Sequence, residues 1–340
     1  MLRVPRITID FEDRLSEEIP DSPNWTHRNH DNYLDGFRKR VSTEEEYDGA
    51  IWMGISQGNQ GDLFVDFSNN YEPILFEVTN RFQPDTIFVL KFFYNYEEID
   101  FKILGNYEFK SELVFTARLN ETIIFPLAFA NEPSSEENIG KLTMFIIEEP
   151  GSFAANHIDN NAWGGVYMAL DYEVRNGGGQ LAPLDVTPFS DFYEAEFHGF
   201  SIYSQPLRVW EGGHMAFNEA FIIHRGQDTE LTFFANNQIE FYRSDGQGGA
   251  VRSDHLFDNF VIISMIDWQQ IDKSGKPYVL VEIEEPSLYI GQYGTFVINV
   301  DKAPGFYEFT VILIMGAQDR VTERTFFPHE VRRFTIEVVE

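Results

Sequence analysis

The chain has 340 residues and a formal net charge of −30, from 55 acidic residues against 25 Lys and Arg. A surface this negative repels phosphate backbones and anionic lipid, so we expect no nucleic-acid partner. The sequence contains no Cys, which excludes disulfides, thiolate catalysis and Cys-ligated metal centres. Hydrophobic residues make up 43% and aromatic residues 16%, a composition that supplies sizeable cores and favours strands.

Residues 1–55 predict an irregular N-terminal extension or arm, because the segment is polar, carries mixed charge and contains several Pro. Within it, RITIDF at 6–11 predicts a strand that could add to the sheet of a neighbour or partner. No segment reaches the roughly 20 apolar residues of a membrane-spanning helix. The first residues become charged at once, unlike a signal peptide. These features fit either a protein that is not exported or one whose signal and anchor lie outside this sequence. We expect the second, because the acidic charge and the absence of Cys suit a surface protein; a cytoplasmic location is the alternative.

Beyond the extension, short strand-like segments follow one another, separated by clusters of Asn, Pro, Gly and acidic residues. Residues 56–177 predict a first β-sandwich domain. The segment NGGGQLAPLDVTP, with three successive Gly and two Pro, interrupts any regular element and places a linker at 178–196. Residues 197–340 resume the strand pattern and predict a second β-sandwich domain.

The two halves share a series of strand-like phrases in the same order. The segments LKFFYNYEEIDF and LTFFANNQIEF share a frame of Leu, Phe-Phe and Asn, followed by Ile, an acidic residue and Phe. Five pairs of segments match in this way: 72–80 with 218–226, 90–101 with 231–241, 122–130 with 295–303, 141–147 with 308–314, and 170–174 with 334–338. The preserved order indicates two homologous β-domains.

These patterns predict an all-β chain of two tandem antiparallel immunoglobulin-like β-sandwiches behind an irregular N-terminal arm. APGFYEFTVILI at 303–314 contains a Pro-Gly turn, an aromatic residue and then a strand that alternates with Thr. At the level of pattern, it resembles the closing strands of immunoglobulin-like modules in bacterial surface proteins. That resemblance implies the sandwich fold and assigns no family.

The repeated aromatic phrase predicts two different faces on one strand, since alternate residues of a strand point the same way. Leu90 and Phe92 form an apolar face that suits the core. Phe93 shares the opposite face with Lys91, and Phe234 occupies the corresponding place in the second copy. We expect Phe93 and Phe234 to need cover from a loop, an arm or a partner, which makes them candidate contact residues; an aromatic ligand platform is the alternative.

Two acidic loops are candidate cation sites. NHIDNNAWGG contains Asp159, Asn160 and Asn161, and RSDGQGG contains Asp245. Calcium takes six to eight oxygen ligands, often from such loops, but the same residues also suit turns for backbone reasons. We expect no cofactor, with calcium as the one candidate cation.

Motifs that would identify an enzyme are missing from the sequence: it contains neither a nucleophile elbow nor a P-loop. The sequence singles out no catalytic residue. It predicts a non-enzymatic extracellular or cell-surface protein with a structural or adhesive role, which contacts a protein partner or associates with itself through strand edges or the N-terminal arm. The alternatives are a carbohydrate- or calcium-dependent binding module, and a hydrolase whose acidic catalytic residues remain unidentified.

Overall fold

The computed structural model describes eighteen parts of the chain: 38–41, 51–57, 64–67, 73–80, 86–130, 138–148, 167–174, 180–181, 184, 193–196, 201–203, 221–236, 238–244, 250–273, 275–282, 290–319, 321 and 329–340, with 184 and 321 as single positions. Every regular element in these ranges is a strand. Among the described residues, no helix has the length and apolar character to cross a bilayer.

Twelve strands belong to the first half of the chain. They are β1 (Arg38–Val41), β2 (Ile51–Gln57), β3 (Phe64–Val65), β4 (Ile74–Asn80), β5 (Thr86–Tyr94), β6 (Glu97–Glu98), β7 (Phe101–Ile103), β8 (Leu113–Ala117), β9 (Glu121–Phe129), β10 (Asn138–Glu148), β11 (Tyr167–Val174) and β12 (Gln180–Leu181).

Twelve further strands belong to the second half. They are β13 (Tyr193–Glu196), β14 (Ser201–Tyr203), β15 (Phe221–His224), β16 (Asp228–Asn236), β17 (Gln238–Ser244), β18 (Ala250–Leu256), β19 (Asn259–Ile266), β20 (Gln269–Gln270), β21 (Tyr278–Glu282), β22 (Ile290–Asn299), β23 (Gly305–Met315) and β24 (Glu330–Val339).

The first half forms a sandwich of two sheets. Sheet 1 has the order β1-β9-β4-β2, with β7 also on β9; sheet 2 has the order β3-β11-β10-β5-β6, with β8 on β5 and β12 on β10. The sequences β2-β4-β9 and β11-β10-β5 match the A-B-E and G-F-C orders of immunoglobulin-like sandwiches. Between the sheets lies a core rich in Phe, in which Phe76 packs against Phe115 and Phe125.

A second sandwich with the same plan follows. Sheet 3 has the order β13-β22-β16-β14, and sheet 4 has the order β15-β24-β23-β19-β20, with β21 on β19; β17 and β18 form a separate hairpin. Strand β24 is the counterpart of β11, β23 of β10, β19 of β5, β22 of β9 and β16 of β4. In each half one short strand, β3 or β15, runs parallel to the last strand of the sandwich. The expected all-β fold class is therefore confirmed for the described residues.

The central strands of sheets 2 and 4 are buried on both faces. Every residue of β19 is buried, and so are nearly all residues of β5. One face of each strand lies on its own sandwich core, and the other lies in an apolar cluster that contains residues of both halves. The four sheets are thus stacked in the order 1-2-4-3, with the two sandwiches in direct contact.

Sheet pairing also uses residues that the sequence analysis placed in the extension and the linker. Strands β1 and most of β2 fall within 1–55, yet they pair with β9 and β4. Strands β12 and β13 fall within 178–196, yet they pair with β10 and β22. These are short or edge strands, which tolerate charged residues and carry weak sequence signals. RITIDF at 6–11 lies outside the described residues.

Two of the five repeat matches are wrong, while three join topologically equivalent strands. The matches of β9 with β22, β10 with β23 and β11 with β24 hold. However, the phrase at 90–101 begins with β5 in sheet 2, whereas 231–241 covers β16 and β17, and β16 lies in sheet 3. Likewise, 72–80 contains β4 of sheet 1, whereas 218–226 contains β15 of sheet 4. The error arose because buried strands of either sheet use the same aromatic and β-branched residues.

Gly140 on β10 faces the ring of Tyr94 on the neighbouring strand β5. A Cβ atom on Gly140 would lie 2.1 Å from the Tyr94 hydroxyl oxygen and 2.3 Å from Cε2. Tyr94 is half-buried and packs against the first core. The absence of a side chain at Gly140 therefore creates the space that this ring occupies.

We predict that Gly140→Ala lowers the free energy of unfolding by about 1–3 kcal/mol, the usual cost of overpacking, measured by urea denaturation. In a Tyr94→Ala background the same substitution should be neutral or stabilising, since Gly weakens a strand relative to Ala. An equal loss in both backgrounds would show that the two residues do not oppose each other.

Candidate functional site at the interface between the two sandwiches

The outer faces of sheets 2 and 4 meet in a continuous apolar layer, which we call the interface layer. Its members are Val89, Phe93, Tyr96, Val114, Phe145, Ile147 and Ala169 from the first half, and Val261, Ile263, Met265, Trp268, Tyr278, Leu280, Ile312, Ile314, Ala317 and Val331 from the second. All are at most 5% exposed. The candidate contact residue Phe93 is one of them and is fully buried, so the second sandwich supplies its cover.

The other candidate residues from the sequence do not join this site. Phe234 lies on β16 of sheet 3, and its side chain is outside the part of the chain that the structure describes. The four candidate cation ligands, Asp159, Asn160, Asn161 and Asp245, also lie outside the described residues. Within the described ranges, no group of three or more His, Asp or Glu is arranged to hold a metal ion.

The two halves contribute equivalent positions to the interface layer. Thr143 on β10 pairs with Phe93 on β5, and Thr310 on β23 pairs with Met265 on β19. Placing Thr143 on Thr310, as the sequence match does, therefore makes Phe93 equivalent to Met265. The same strand registers give every first-half member of the layer an equivalent position in the second half. The equivalent positions are Val89 and Val261, Phe93 and Met265, Tyr96 and Trp268, Val114 and Leu280, Phe145 and Ile312, Ile147 and Ile314, and Ala169 and Val331.

A tight turn after β5 recurs after β19 and places one large aromatic residue of each half in the layer. Asn95 and Tyr96 have φ angles of 46° and 71°, and Asp267 and Trp268 have φ angles of 46° and 67°. Two successive positive φ values are typical of a type I′ hairpin turn, in which Asn and Asp are favoured but bulky aromatics are not. Each half therefore accepts a strained backbone position in order to bury its aromatic ring at the interface.

Glu98 and Gln270 mark the approximate two-fold axis that relates the halves. They follow the two turns at equivalent positions, since Phe93 pairs with Glu98 and Met265 with Gln270. The Glu98 backbone N–H donates to Gln270 Oε1 at 2.8 Å, and the Gln270 backbone N–H donates to Glu98 Oε2 at 3.3 Å. Equivalent residues can bond each other reciprocally only beside the axis of a two-fold arrangement.

Lys91 is a fully buried cation that joins the halves. Its Nζ lies 3.0 Å from Glu98 Oε2 and 3.9 Å from Glu112 Oε2, and it donates a hydrogen bond to the backbone carbonyl of Trp268 in the other half. The equivalent position in the second half is Ile263. The apolar part of the interface is thus symmetric, whereas this ionic part belongs to the first half alone.

A second pair of equivalent positions carries buried charges of opposite sign. In the first half, Lys141 lies 3.7 Å from Asp171; in the second, Arg333 Nε lies 2.5 Å from Glu308 Oε1. Strand register makes Lys141 equivalent to Glu308 and Asp171 equivalent to Arg333. The same two strands therefore hold an ion pair in each half, but the cation and the anion have exchanged strands.

Both of these cations also bond across the interface. Lys141 Nζ donates to the carbonyl of Gly316 at 2.7 Å, and Arg333 Nη1 donates to the carbonyl of Glu148 at 3.1 Å. Gly316 directly follows β23 and Glu148 ends β10. Since β10 and β23 are equivalent strands, each cation bonds the same end of this strand in the opposite half. A hydrogen bond to a buried charged group contributes more than a neutral one, so these contacts strengthen the docking.

The electrostatic surroundings keep the Asp171 carboxyl ionised and the Tyr96 phenol protonated, as their contacts require, whereas burial lowers the pKa of the Lys141 amine against the attraction of Asp171. Burial acts to raise the pKa of the Asp171 carboxyl, but His329, Lys141 and Thr143 together hold that pKa below its ordinary value. Burial raises the pKa of the Tyr96 phenol well above its ordinary value. The Tyr96 hydroxyl therefore stays protonated and donates to the carbonyl of Ala317, at 2.8 Å, in the other half.

Further hydrogen bonds connect residues between β23 and β24 to the first sandwich. The His329 backbone N–H donates to the Ala169 carbonyl at 2.8 Å, and the Val321 backbone N–H donates to Glu173 Oε1 at 2.9 Å. His329 Nε2 also lies 3.4 Å from Asp171 Oδ2. Together with the apolar layer, these contacts suit specific recognition between two surfaces, since Lys91, Lys141 and Arg333 each meet a carbonyl acceptor in the opposite half.

Sequence reasoning missed the residues that define this site, although a signal was present. FYNYEEI at 93–99 and MIDWQQI at 265–271 share an Asn or Asp followed by an aromatic residue, then two Glu or two Gln, then Ile. The buried Lys91 also had a signal, because it interrupts an otherwise apolar and aromatic run. Alternation places its side chain on the face opposite to the first core, and in the structure that face lies under the second sandwich.

A third kind of buried cation lies away from the interface. Lys273 follows β20, is 1% exposed, and donates through Nζ to the carbonyls of Ile271 at 3.1 Å and Pro277 at 2.8 Å. Burial lowers the pKa of Lys273 to about 7, a shift that the nearby Asp272 opposes. This amine therefore loses its charge near neutral pH in the folded protein.

We predict that Lys91→Met lowers the free energy of unfolding by about 2–4 kcal/mol, because Glu98 and Glu112 lose the cation between them. Adding Glu98→Gln and Glu112→Gln should recover most of the loss, since removing a buried ionic group completely is often neutral. Lys110→Met is the matched control: Lys110 pairs with the exposed Glu108 at 3.7 Å, and its loss should stay below about 1 kcal/mol. A triple variant no more stable than Lys91→Met would contradict this account.

We also predict that the stability difference between wild type and Lys273→Met depends on pH. The folded pKa of about 7 lies below the ordinary 10.5, so the unfolded state binds more protons between these values. The penalty for burying Lys273 is complete below pH 7 and disappears as the pH approaches 10.5. From pH 7 to pH 9, wild type should gain about 1–3 kcal/mol relative to Lys273→Met in chemical denaturation.

The exposed Lys276, on the same turn, provides the control for this measurement. Lys276→Met should follow wild type across the same pH range. If the difference between wild type and Lys273→Met were constant from pH 7 to pH 9, Lys273 would not titrate there.

Comparisons with known proteins assign no family to the chain. No protein-family model and no curated protein matches it. Among solved structures, red sea bream transglutaminase is 8% identical over 85% of this chain at a TM-score of 0.21, and the match spans 31% of the transglutaminase. The C-terminal domain of the antigen I/II-family protein AspA of Streptococcus pyogenes is 8% identical (84% of this chain, 99% of that one, TM-score 0.22), and that of the AgI/II polypeptide BspA of Streptococcus agalactiae is 7% identical (84% and 99%, TM-score 0.21). TM-scores this low carry no argument about family or function.

Proposed function

We propose that the chain is a non-enzymatic structural or adhesive module of an extracellular or cell-surface protein. The observation that carries the proposal is the interface between the sandwiches. Its buried Lys, Arg, Asp and Glu side chains are engaged in pairs and in hydrogen bonds between the halves, where a substrate has no access. The reactive side chains at the centre of the fold thus hold two sandwiches together.

The surface chemistry supports the same role. With a net charge of −30, the outside of the molecule resists non-specific aggregation while its apolar residues are used in three internal layers. A stack of four sheets, joined at its centre, transmits load and presents loops at its ends. These are properties of a spacer or a contact-forming module, and the partner on this proposal is another protein.

The experiment that tests this proposal is immunolabelling of the source cells with an antibody raised against the whole chain. We expect labelling of intact cells, or recovery of the chain from the medium, at a level similar to that in permeabilised cells. An antibody against a cytoplasmic protein of the same cells is the control. Labelling that requires permeabilisation would overturn the surface assignment.

One surface loop favours the alternative function of a carbohydrate-binding module. Tyr107 is 96% exposed, and Leu104 and Phe109 beside it are also exposed. The loop is held in shape because Phe101 and Lys110 exchange two backbone hydrogen bonds of 2.8 Å at its base. An ordered loop that presents an aromatic ring can stack on the apolar face of a sugar.

A glycan array with wild type and Tyr107→Ala tests this alternative. On this reading, wild type binds a defined set of glycans and Tyr107→Ala loses at least ten-fold in signal. Repeating the array with a chelator, and measuring the thermal shift with calcium, tests whether the binding depends on a cation. An array on which wild type binds nothing would eliminate the carbohydrate function.

A further inference from the structure

We propose that the interface layer is also a docking surface for a second copy of this chain, such that the first half of one copy binds the second half of another. Two copies would exchange halves and form a closed dimer with two reconstituted interfaces. This inference does not rest on the proposed function. It follows from the symmetry of the apolar layer and the asymmetry of its charges.

The apolar layer makes each outer face a strong docking surface. Residues such as Val114 and Leu280 belong to the interface layer and not to their own sandwich cores, and each is less than 5% exposed in the paired halves. A half that separates from its neighbour would expose a contiguous apolar patch, which a soluble protein rarely leaves uncovered. A second copy of the chain offers this exposed patch the same opposite half that it contacted before separation.

Charged positions oppose pairing between two first halves. At the two-fold axis, Glu98 would meet Glu98 in place of Gln270, and like charges brought together at an interface favour other partners. Pairing of this kind therefore has a repulsive element built into it.

Pairing between two second halves lacks the attractive element. In the second half, Ile263 occupies the position equivalent to Lys91. In a pair of second halves, the Trp268 carbonyl would therefore have no cation from which to accept a hydrogen bond. Likewise, the Gly316 carbonyl, which accepts from Lys141 in the observed interface, would face Glu308. A buried acceptor that loses its donor is costly, so the charges select a first half with a second half.

The connection between the halves limits how far apart two exchanged halves of one copy can lie. Strand β12 is fastened to the first sandwich and β13 to the second, which leaves residues 182–192 between them. Fully extended, such a segment reaches ~36–40 Å. Within it, Leu184 packs against the interface layer. Exchange thus requires the release of the layer and of this segment, while both sandwich cores stay intact.

The experiment uses two full-length variants, Val114→Asp and Leu280→Asp, at equivalent positions of the layer. Each variant has one damaged face and one intact face. We expect each variant alone to remain a monomer of 39.4 kDa and an equimolar mixture to form a species of twice that mass in light scattering. A mixture that remains monomeric would overturn docking between copies. Equal dimer formation by either variant alone would overturn the selection of opposite halves.

A second measurement avoids any dependence on how these variants fold. Because the chain contains no Cys, Tyr107→Cys gives a single labelling site at a position that is 96% exposed. Donor- and acceptor-labelled copies are mixed in mild denaturant and returned to buffer at high concentration. Energy transfer between copies that survives dilution supports exchange, and its complete absence overturns the proposal. A chain that also carries Val114→Asp and Leu280→Asp is the control and should show no transfer.

Discussion

The burial of the outer faces of sheets 2 and 4 against each other is the constraint on which the rest of the structure depends. A sandwich normally leaves its outer faces to solvent, with alternate polar residues along each strand. Here β5, β10, β19 and β23 are buried on both faces over most of their length, because the second face of each strand lies in or beside the interface layer. Full burial of one such side chain is worth about 1.5–3 kcal/mol, so neither sandwich could expose this face and keep its solubility.

Approximate two-fold symmetry explains how such a layer is built from a single repeated unit. The equivalent turns at Asn95–Tyr96 and Asp267–Trp268 each hold an aromatic residue at positive φ, a strain that is compensated by burial of both rings. Charges then break the symmetry. Lys91 has an apolar counterpart, and the pair of Lys141 and Asp171 is reversed in Glu308 and Arg333. The apolar residues supply the affinity between the halves, and the charged residues determine which surfaces pair.

Much of the fold could be predicted from the sequence, because strand periodicity is a local property. Alternation correctly placed Leu90 and Phe92 in the core and recognised that Phe93 needs cover. The identity of that cover is a long-range property, and no local pattern contains it. The wrong match of 90–101 with 231–241 has the same origin, since apolar strands of different sheets share their residues. Only the turn, with its Asn or Asp before an aromatic residue, distinguished β5 from β16.

Differential scanning calorimetry tests the central claim, that the interface layer makes the two sandwiches a single folding unit. The account predicts one transition for wild type, with a calorimetric enthalpy equal to the van't Hoff enthalpy of the whole chain. It predicts two separate transitions for Leu280→Asp, because each sandwich then unfolds without support from the other. Two independent transitions in wild type, unchanged by Leu280→Asp, would show that the sandwiches are stable separately and would contradict the account.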